Sequence, residues 1–561
     1  MNPVGSLYRV YRKNFEMPMP EEGVKMNLYT SLGIIAVSCI MIPCCLIVGY
    51  LSYVLSLAMM LEGNRVNGLV SEMHIIAAFS MVLGMPVVFN VLFFSADREH
   101  MVTLPIKSWE LLAAKFRHTF MAESVMEFLV LFSMFIGYFL AAVESGGLWP
   151  SLHPVALAAA VIGTATTPLL PLVYCCIISL ILMAVLKKVK KAKTFYRSST
   201  VLMFLFIGLF LWSFKDMGGI TMENFVDSMV AEKNFFLKVC NVIFFTTPLL
   251  CRATAEGSLL YLLAYLAGNA AAVGLMLLLG KALYSSGLYT AAALGSAKKG
   301  ETKEKLKSRL HSSTVEASYF RKEWWVLLRT RAYSSNCVFI NVLWPGGLLA
   351  FFLMTKKNDT IQAFINYASQ GNERALLILL MGVVLVSFIA SAMNTLATTA
   401  FTREGAHVDM IKYIPVTMEI QLSVKGGVAL VITAPFLLLS LLVCAVFIRI
   451  PVVYLISYAC VSLAALLLAT MLGLALDSAS PYTLWSDEYS ALRGNLNSFF
   501  NMAVILVISV LFAGLAFLLY ELVNVPLTAV HITLPVLLMA ADILALVKLK
   551  PRILKNMEEL F

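Results

Sequence analysis

"DREHMVTLPIKSWELLAAKF" runs from Asp97 to Phe116, a charged interruption between two long apolar runs. Its surroundings decide the fold. The chain has 561 residues, 60% of them hydrophobic and only 13% charged, with a mean hydropathy of +0.85. Soluble domains are roughly 45–50% apolar and about 25% charged. Both departures point to a polytopic membrane protein. A spanning helix needs ~20 predominantly apolar residues. Twelve such runs lie near 29–60, 75–94, 119–142, 154–186, 199–214, 258–282, 333–354, 375–400, 427–447, 452–475, 501–519 and 526–547. They do not alternate polar and apolar residues as barrel strands do. Backbone groups facing lipid must be satisfied within the segment, so the expectation is all-α, with twelve transmembrane helices. Residues 1–28 are polar, and the first run is too long for a signal-peptide core.

The net charge is +10. With the N-terminus placed in the cytoplasm, most Lys and Arg residues fall on the cytoplasmic side, which puts both termini there. The basic stretch 187–197 then reads as a topology signal meeting anionic lipid or a cytoplasmic partner, and no nucleic-acid role is expected. The ten cysteines show no metal-ligand spacing, and no metal site is expected. Cys240 and Cys251 share one expected outer loop, which leaves a disulfide open there.

The opening stretch has a second copy. Arg98-Glu99 returns as Arg403-Glu404. The aliphatic-Pro-aliphatic step at Pro105 returns at Pro415, and ten residues beyond each proline stands a lysine, Lys115 or Lys425. Each copy follows an apolar run carrying an asparagine, Asn90 or Asn394. Upstream, 5–15 and 318–331 both mix aromatic, aliphatic and basic residues in the manner of a helix lying in the membrane interface. The chain thus reads as two six-span halves, 1–295 and 318–561, joined by a charged cytoplasmic linker, 296–317. Six is even, so the repeat is parallel, with its pseudo-two-fold axis along the membrane normal and a route between the halves.

Both prolines suit the first turn of a helix. After Pro105, Ile106, Trp109, Leu112, Ala113 and Phe116 share one face, with Lys107, Ser108 and Glu110 opposite. The expectation for 95–116 and for 401–425 is a short cytoplasmic helix wedged between two spans. The bland alternative is an interfacial turn whose basic residues only set topology.

The stretch resembles the cytoplasmic loop of ABC-2-type exporter permeases, the membrane subunits of ATP-binding-cassette transporters. The segment 484–497 is similar to a pattern of the large twelve-span members, with Trp485, Glu488, Ala491, Asn495 and Asn497 in the matching positions. The resemblance implies that 95–116 and 401–425 are coupling helices docking on ATPase subunits. It also implies that 5–15 and 318–331 are connecting helices. Glu419 stands where the first copy has Trp109, and the second copy carries five extra residues, so the two docking sites are expected to be unequal.

No phosphate-binding loop GxxxxGK[ST] occurs; "GLMLLLGKA" (274–282) has one residue too many and an Ala where Ser/Thr must reach Mg²⁺. ATP and Mg²⁺ are therefore assigned to separate cytoplasmic ATPase chains, two copies for two coupling helices. This chain itself carries no cofactor and no catalytic residues. The expected function is export of a hydrophobic or amphipathic substrate (peptide, drug or lipid) across the plasma membrane, by analogy in a bacterium. The alternative is an ion- or proton-coupled secondary transporter. Its candidates are Glu123 and Glu127, one turn apart in the third run, and His531 and Asp542 in the last. Glu127 is the deeper of the first pair, roughly 9 Å past Met121 along a span at 1.5 Å per residue. Pairing with a polar neighbour to stabilise packing is the equal alternative for it. Asn90, Glu127 and Asn394 are the candidate lining of a substrate route.

Overall fold

The computed structural model describes residues 26–94, 106–147, 152–189, 235–296, 314–355, 358–483, 485, 488–493 and 495–559, with Gly5, Leu7, Tyr8, Leu205 and Gly208 besides. Arg98, Glu99, Pro105, the expected fifth span and most of the linker lie outside the described residues, as do most of 5–15. Among the described residues every regular element is a helix. Eleven helices among the described residues are long and apolar enough to cross a membrane, twelve if one sharply bent pair counts as a span. The protein is an all-helical, multi-pass membrane protein.

The chain divides into two compact units, residues 1–17 with 41–300, and residues 18–40 with 301–561. The first unit contains α1 (Met26–Leu61) from Met41 onward, α2 (Asn67–Phe89), α3 (Ser108–Gly146), α4 (Pro154–Thr166), α5 (Leu169–Val189), α6 (Phe235–Ile243), α7 (Thr246–Glu256) and α8 (Leu259–Ser296). Bulky side chains of α2, α3, α5 and α8, among them Phe89, Leu112, Leu172 and Tyr284, fill one buried cluster. Without a hydrophobic drive inside lipid, spans associate through close packing and hydrogen bonds, so small residues mark the contacts. Gly137 of α3 is such a point. A Cβ there would collide with the Gly49 carbonyl oxygen of α1. One turn away, Ser133 donates to the Cys45 carbonyl, and Ser52 lies 3.0 Å from the Met134 carbonyl and 2.7 Å from Glu72 Oε2. Gly137→Ala therefore forces two backbones apart. Overpacking of this kind costs about 2 kcal/mol, to be read as a lowered unfolding midpoint in detergent.

Two expectations are corrected in this unit. The stretch from Ser108 is no separate short helix, because α3 continues unbroken from Ser108 to Gly146. Nothing in its sequence stops it, as neither Gly nor Pro occurs between Ser108 and Phe135. Its start is fixed by the Lys107 N–H donating to Glu110 Oε2 at 3.2 Å. Its buried residues also differ from the expected stripe: Leu111, Leu112, Ala114, Lys115 and Phe116 are buried. The region 235–256 is no simple outer loop but two helices, α6 and α7, meeting at 102°. Cys240 and Cys251 lie one on each, both buried and both free. The Cys251 thiol points at Met73 Sδ, 3.3 Å away.

The second unit contains the first turns of α1 and then α9 (Val315–Arg329), α10 (Leu343–Met354), α11 (Asp359–Ser369), α12 (Glu373–Met393), α13 (Met418–Ile448), α14 (Val452–Ala479), α15 (Glu488–Arg493), α16 (Leu496–Glu521) and α17 (Leu527–Glu559). α14 is its central span and packs against α12, α13, α16 and α17. Tyr458, Val461, Ala465, Leu468 and Ala469 of α14 meet Leu380, Val384 and Phe388 of α12 in the main core. Among the described residues asparagines cap the starts of three helices of this unit: Asn358 accepts from the Ile361 N–H at 3.1 Å, Asn372 from the Ala375 N–H at 3.2 Å and Asn495 from the Asn497 N–H at 2.9 Å.

Pro415 does not occupy a first helical turn. It stands in the bend before α13, whose N-cap is Thr417. A proline pushes its predecessor out of the helical region, and Ile414 is extended at φ −69°, ψ 129°. The proline thus ends the Met410–Tyr413 turn and aims the chain into α13.

Candidate functional site

The second copy of the opening motif folds around a buried lysine. Lys425 is the eighth residue of α13 and is 1% exposed. Its ammonium lies 2.8 Å from the Ala400 carbonyl, 2.8 Å from Glu323 Oε1 and 2.8 Å from Glu404 Oε1. All three donor positions are used. Lys322 adds a second cation, 2.6 Å from Glu404 and 3.3 Å from Glu323. Arg403 completes the group. Its Nη1 donates to the Leu396 carbonyl and to Thr399 Oγ1, each at 2.7 Å, and its Nη2 lies 3.8 Å from Glu323 Oε2. Three segments far apart in sequence are thus joined by charge: α9, the turns after α12, and α13.

Burial alone would raise both carboxyls. At Glu323, Lys425 and then Lys322 outweigh it and hold the group below the usual carboxylate range. At Glu404 the same two lysines act in the same direction. A depressed carboxyl pKa gives stability that is complete above the unfolded value, ~4.3 for Glu, and is lost as pH falls below it toward the folded value. The unfolding midpoint of the second unit should therefore not lose this contribution between pH 8 and 5, and should fall on acidification below ~4.3. A buried pair is poorly screened, so added salt should leave it unchanged.

A second, uncharged-to-charged network holds the same turns from the other side. Asp477, in the last turn of α14, accepts from the Phe401 N–H at 2.6 Å, the Thr402 N–H at 3.1 Å and Thr402 Oγ1 at 2.6 Å. Asn495 donates to the Thr398 carbonyl at 2.8 Å and lies 3.2 Å from Thr402 Oγ1. Asn497 bridges Asp477 and the Ser480 carbonyl, at 3.4 and 2.8 Å. The Trp485 indole N–H donates to the Thr402 carbonyl at 2.8 Å. Its ring packs on Gly405, where a Cβ would lie 2.7 Å away. Gly405 has φ 60° and ψ −139°, a conformation other residues adopt only at a cost of about 1–3 kcal/mol.

The structure therefore brings together Arg403, Glu404, Lys425, Trp485, Asn495 and Asn497. Asn394 sits at the edge of the group, buried, donating to Thr433 Oγ1 and to Asn341 Oδ1 and accepting from the Leu396 N–H. Those bonds satisfy its amide as a fastener of the turn that ends α12. Glu488 is exposed at the start of α15 and lies apart from the network, whereas Ala491 is fully buried. Pro415 is exposed, and around it Met410 and Tyr413 are 54% and 77% exposed. This tip projects from a base fixed by Gln421, whose amide donates to the Ile411 and Val416 carbonyls at 3.0 and 2.9 Å.

In the first unit Lys115 is likewise the eighth residue of its helix and fully buried, and it donates to the Val91 carbonyl at 3.2 Å. Trp109 is half-buried in the first turn of α3. Asn90 is buried where α2 passes into a wider turn. Glu127 stands apart from this motif. Among the described residues its Oε2 has no hydrogen-bond partner, and it faces Ser80 of α2. Tyr8 places its ring 4.2 Å beneath the Arg117 guanidinium.

Glu323 and Asp477 were not among the expected site residues. Both carry a signal. Tyr319, Glu323 and Leu327 form one buried stripe at four-residue spacing, and a carboxylate on an apolar stripe needs a cation. Asp477 is the sole acid of α14 and lies at its C-terminal end, where the helix dipole disfavours an anion and local donors must compensate.

Comparison with family models, curated proteins and solved structures gives no match. The functional reading therefore rests on this geometry and on the motif resemblance.

Proposed function

We propose that this chain is the membrane-spanning permease subunit of an ATP-driven exporter. The observation that carries the reading is the buried charge cluster on Lys425, which ties the helix before a span, the loop after the next and the head of a third into one body. Beside it, the exposed Met410–Pro415 tip offers an apolar handle. A cytoplasmic partner that grips this tip and the turns behind it moves α9, α12 and α13 together. Because the sequence has no phosphate-binding loop, ATP and Mg²⁺ belong to that partner, an ATPase. Two copies would serve the loops following Asn90 and Asn394. The cargo is hydrophobic or amphipathic, and the setting is a bacterial plasma membrane with both chain termini in the cytoplasm.

The handle is tested by placing a crosslinkable thiol at its tip. Tyr413→Cys is expected to crosslink in native membranes to a chain carrying GxxxxGK[ST], and to lose that product when ATPase subunits are stripped off. Absence of any such product, with the protein intact in the membrane, overturns the docking.

One observation favours a second reading. Among the described residues, Glu127 holds a carboxylate oxygen without a hydrogen-bond partner within a span, as a carrier of protons or cations would. That reading expects transport in vesicles without ATP, abolished by Glu127→Gln.

A further inference from the structure

A groove of about 590 Å³ runs between α9 and α13, within the ~300–1,000 Å³ of typical ligand sites. Its wall is apolar: Phe320 and Trp324 stack with centroids 5.9 Å apart, facing Val424 and Val431. The two valines are seven residues apart on one helix, which makes the apolar channel ~10 Å long. Charge is confined to two lining residues, Glu316 and Arg321. Both are exposed, and neither forms an ion pair among the described residues. α9 also presents Trp325 outward, with the Arg329 guanidinium 4.6 Å above its ring. This is the composition of a helix seated at the level of lipid headgroups.

We propose that the groove is a binding site for a zwitterionic, amine-bearing glycerophospholipid. The phosphate sits on Arg321, the ammonium meets Glu316, and one acyl chain lies between the Phe320–Trp324 pair and Val424–Val431. The charge pattern selects this occupant. A lone basic residue would suit any phosphate, but the carboxylate beside it repels a headgroup bearing a second anion and pairs with an amine. The channel's length and apolar wall match a hydrocarbon chain, not a free phosphate. The lipid packs on the face of α9 that adjoins Glu323, and so holds α9 against α13.

The test uses the full chain in nanodiscs of native lipid, with phosphatidylethanolamine carrying a photoreactive group in one acyl chain. Adducts are mapped by mass spectrometry. They are expected to concentrate on the segments 317–325 and 424–431. Arg321→Glu is expected to cut that labelling about five-fold, the scale of one basic contact to a headgroup, while labelling of the other spans is unchanged. Val431→Trp, which fills the channel, gives the same loss without touching charge. Adducts spread evenly over the spans, or undiminished in both variants, overturn the site. Equal labelling by the matching phosphatidylglycerol probe overturns the amine-bearing headgroup. Displacement of the probe by millimolar inorganic phosphate overturns a lipid as the ligand.

Discussion

Lys425→Met is expected to lower the stability of the second unit by about 3–5 kcal/mol, the cost of breaking a buried pair by removing one partner. Methionine fits the space of the lysine stem, so lost volume is not the cause. What remains is Glu323, 2% exposed, with its nearest cation removed, and Glu404, left among the described residues with Lys322 as its ion-pair partner. The Ala400 carbonyl also loses its side-chain donor. Adding Glu323→Gln to Lys425→Met should restore part of the loss, because it removes the stranded charge, and the non-additivity identifies the pair as coupled. Lys550→Met is the control. Its ion pair with Glu419 spans 3.7 Å between exposed side chains, and such pairs contribute ~0–1 kcal/mol. Unfolding midpoints in detergent compare the three variants. A Lys425→Met protein that melts with the wild type would remove the basis for treating the cluster as a joint.

The second large effect is expected at Asp477. Asn keeps the shape but loses the charge. With its oxygen in place of Oδ2 it still accepts from the Phe401 and Thr402 N–H groups. Its NH₂, however, replaces Oδ1, the acceptor of Thr402 Oγ1 and of the Asn497 amide, and meets those two donors with a third. Hydrogen bonds to a charged group contribute about 1.5–3 kcal/mol each, so a loss of about 3 kcal/mol is expected for Asp477→Asn. The effect should be local. Amide exchange should quicken at 398–405, which Asp477 and Asn495 hold, and stay unchanged in the α12–α14 core around Tyr458 and Phe388. Uniform loosening of the whole unit would instead mark Asp477 as a general packing residue.

The spans were legible because twenty apolar residues in a row leave few alternatives. The bent pair α6–α7 was not, since helices of 9 and 11 residues are each too short to give a spanning signal. The duplicated motif located Arg403, Glu404 and Lys425, and the resemblance located Trp485, Asn495 and Asn497. Neither could say that all six converge on the turns at 396–405. Nor could they find the partners: whether Glu323 faces water or Lys425 depends on which side of α9 meets α13, a matter of rotation that composition does not record. The helix from Ser108 does not stop short but runs on as α3: an amphipathic start does not end a helix, and neither Gly nor Pro stands between Ser108 and Phe135.

The proposed function requires that another chain's ATP cycle enter this protein through the loops after Asn90 and Asn394. The most direct measurement is affinity purification of the chain from its native membrane, with the associated proteins sequenced and assayed for ATP hydrolysis. The expected result is a stoichiometric partner carrying GxxxxGK[ST] and hydrolysing ATP, which is released when 408–416 is replaced by a glycine-serine linker. A chain that purifies alone, and transports with the Pro105 loop deleted, would contradict it.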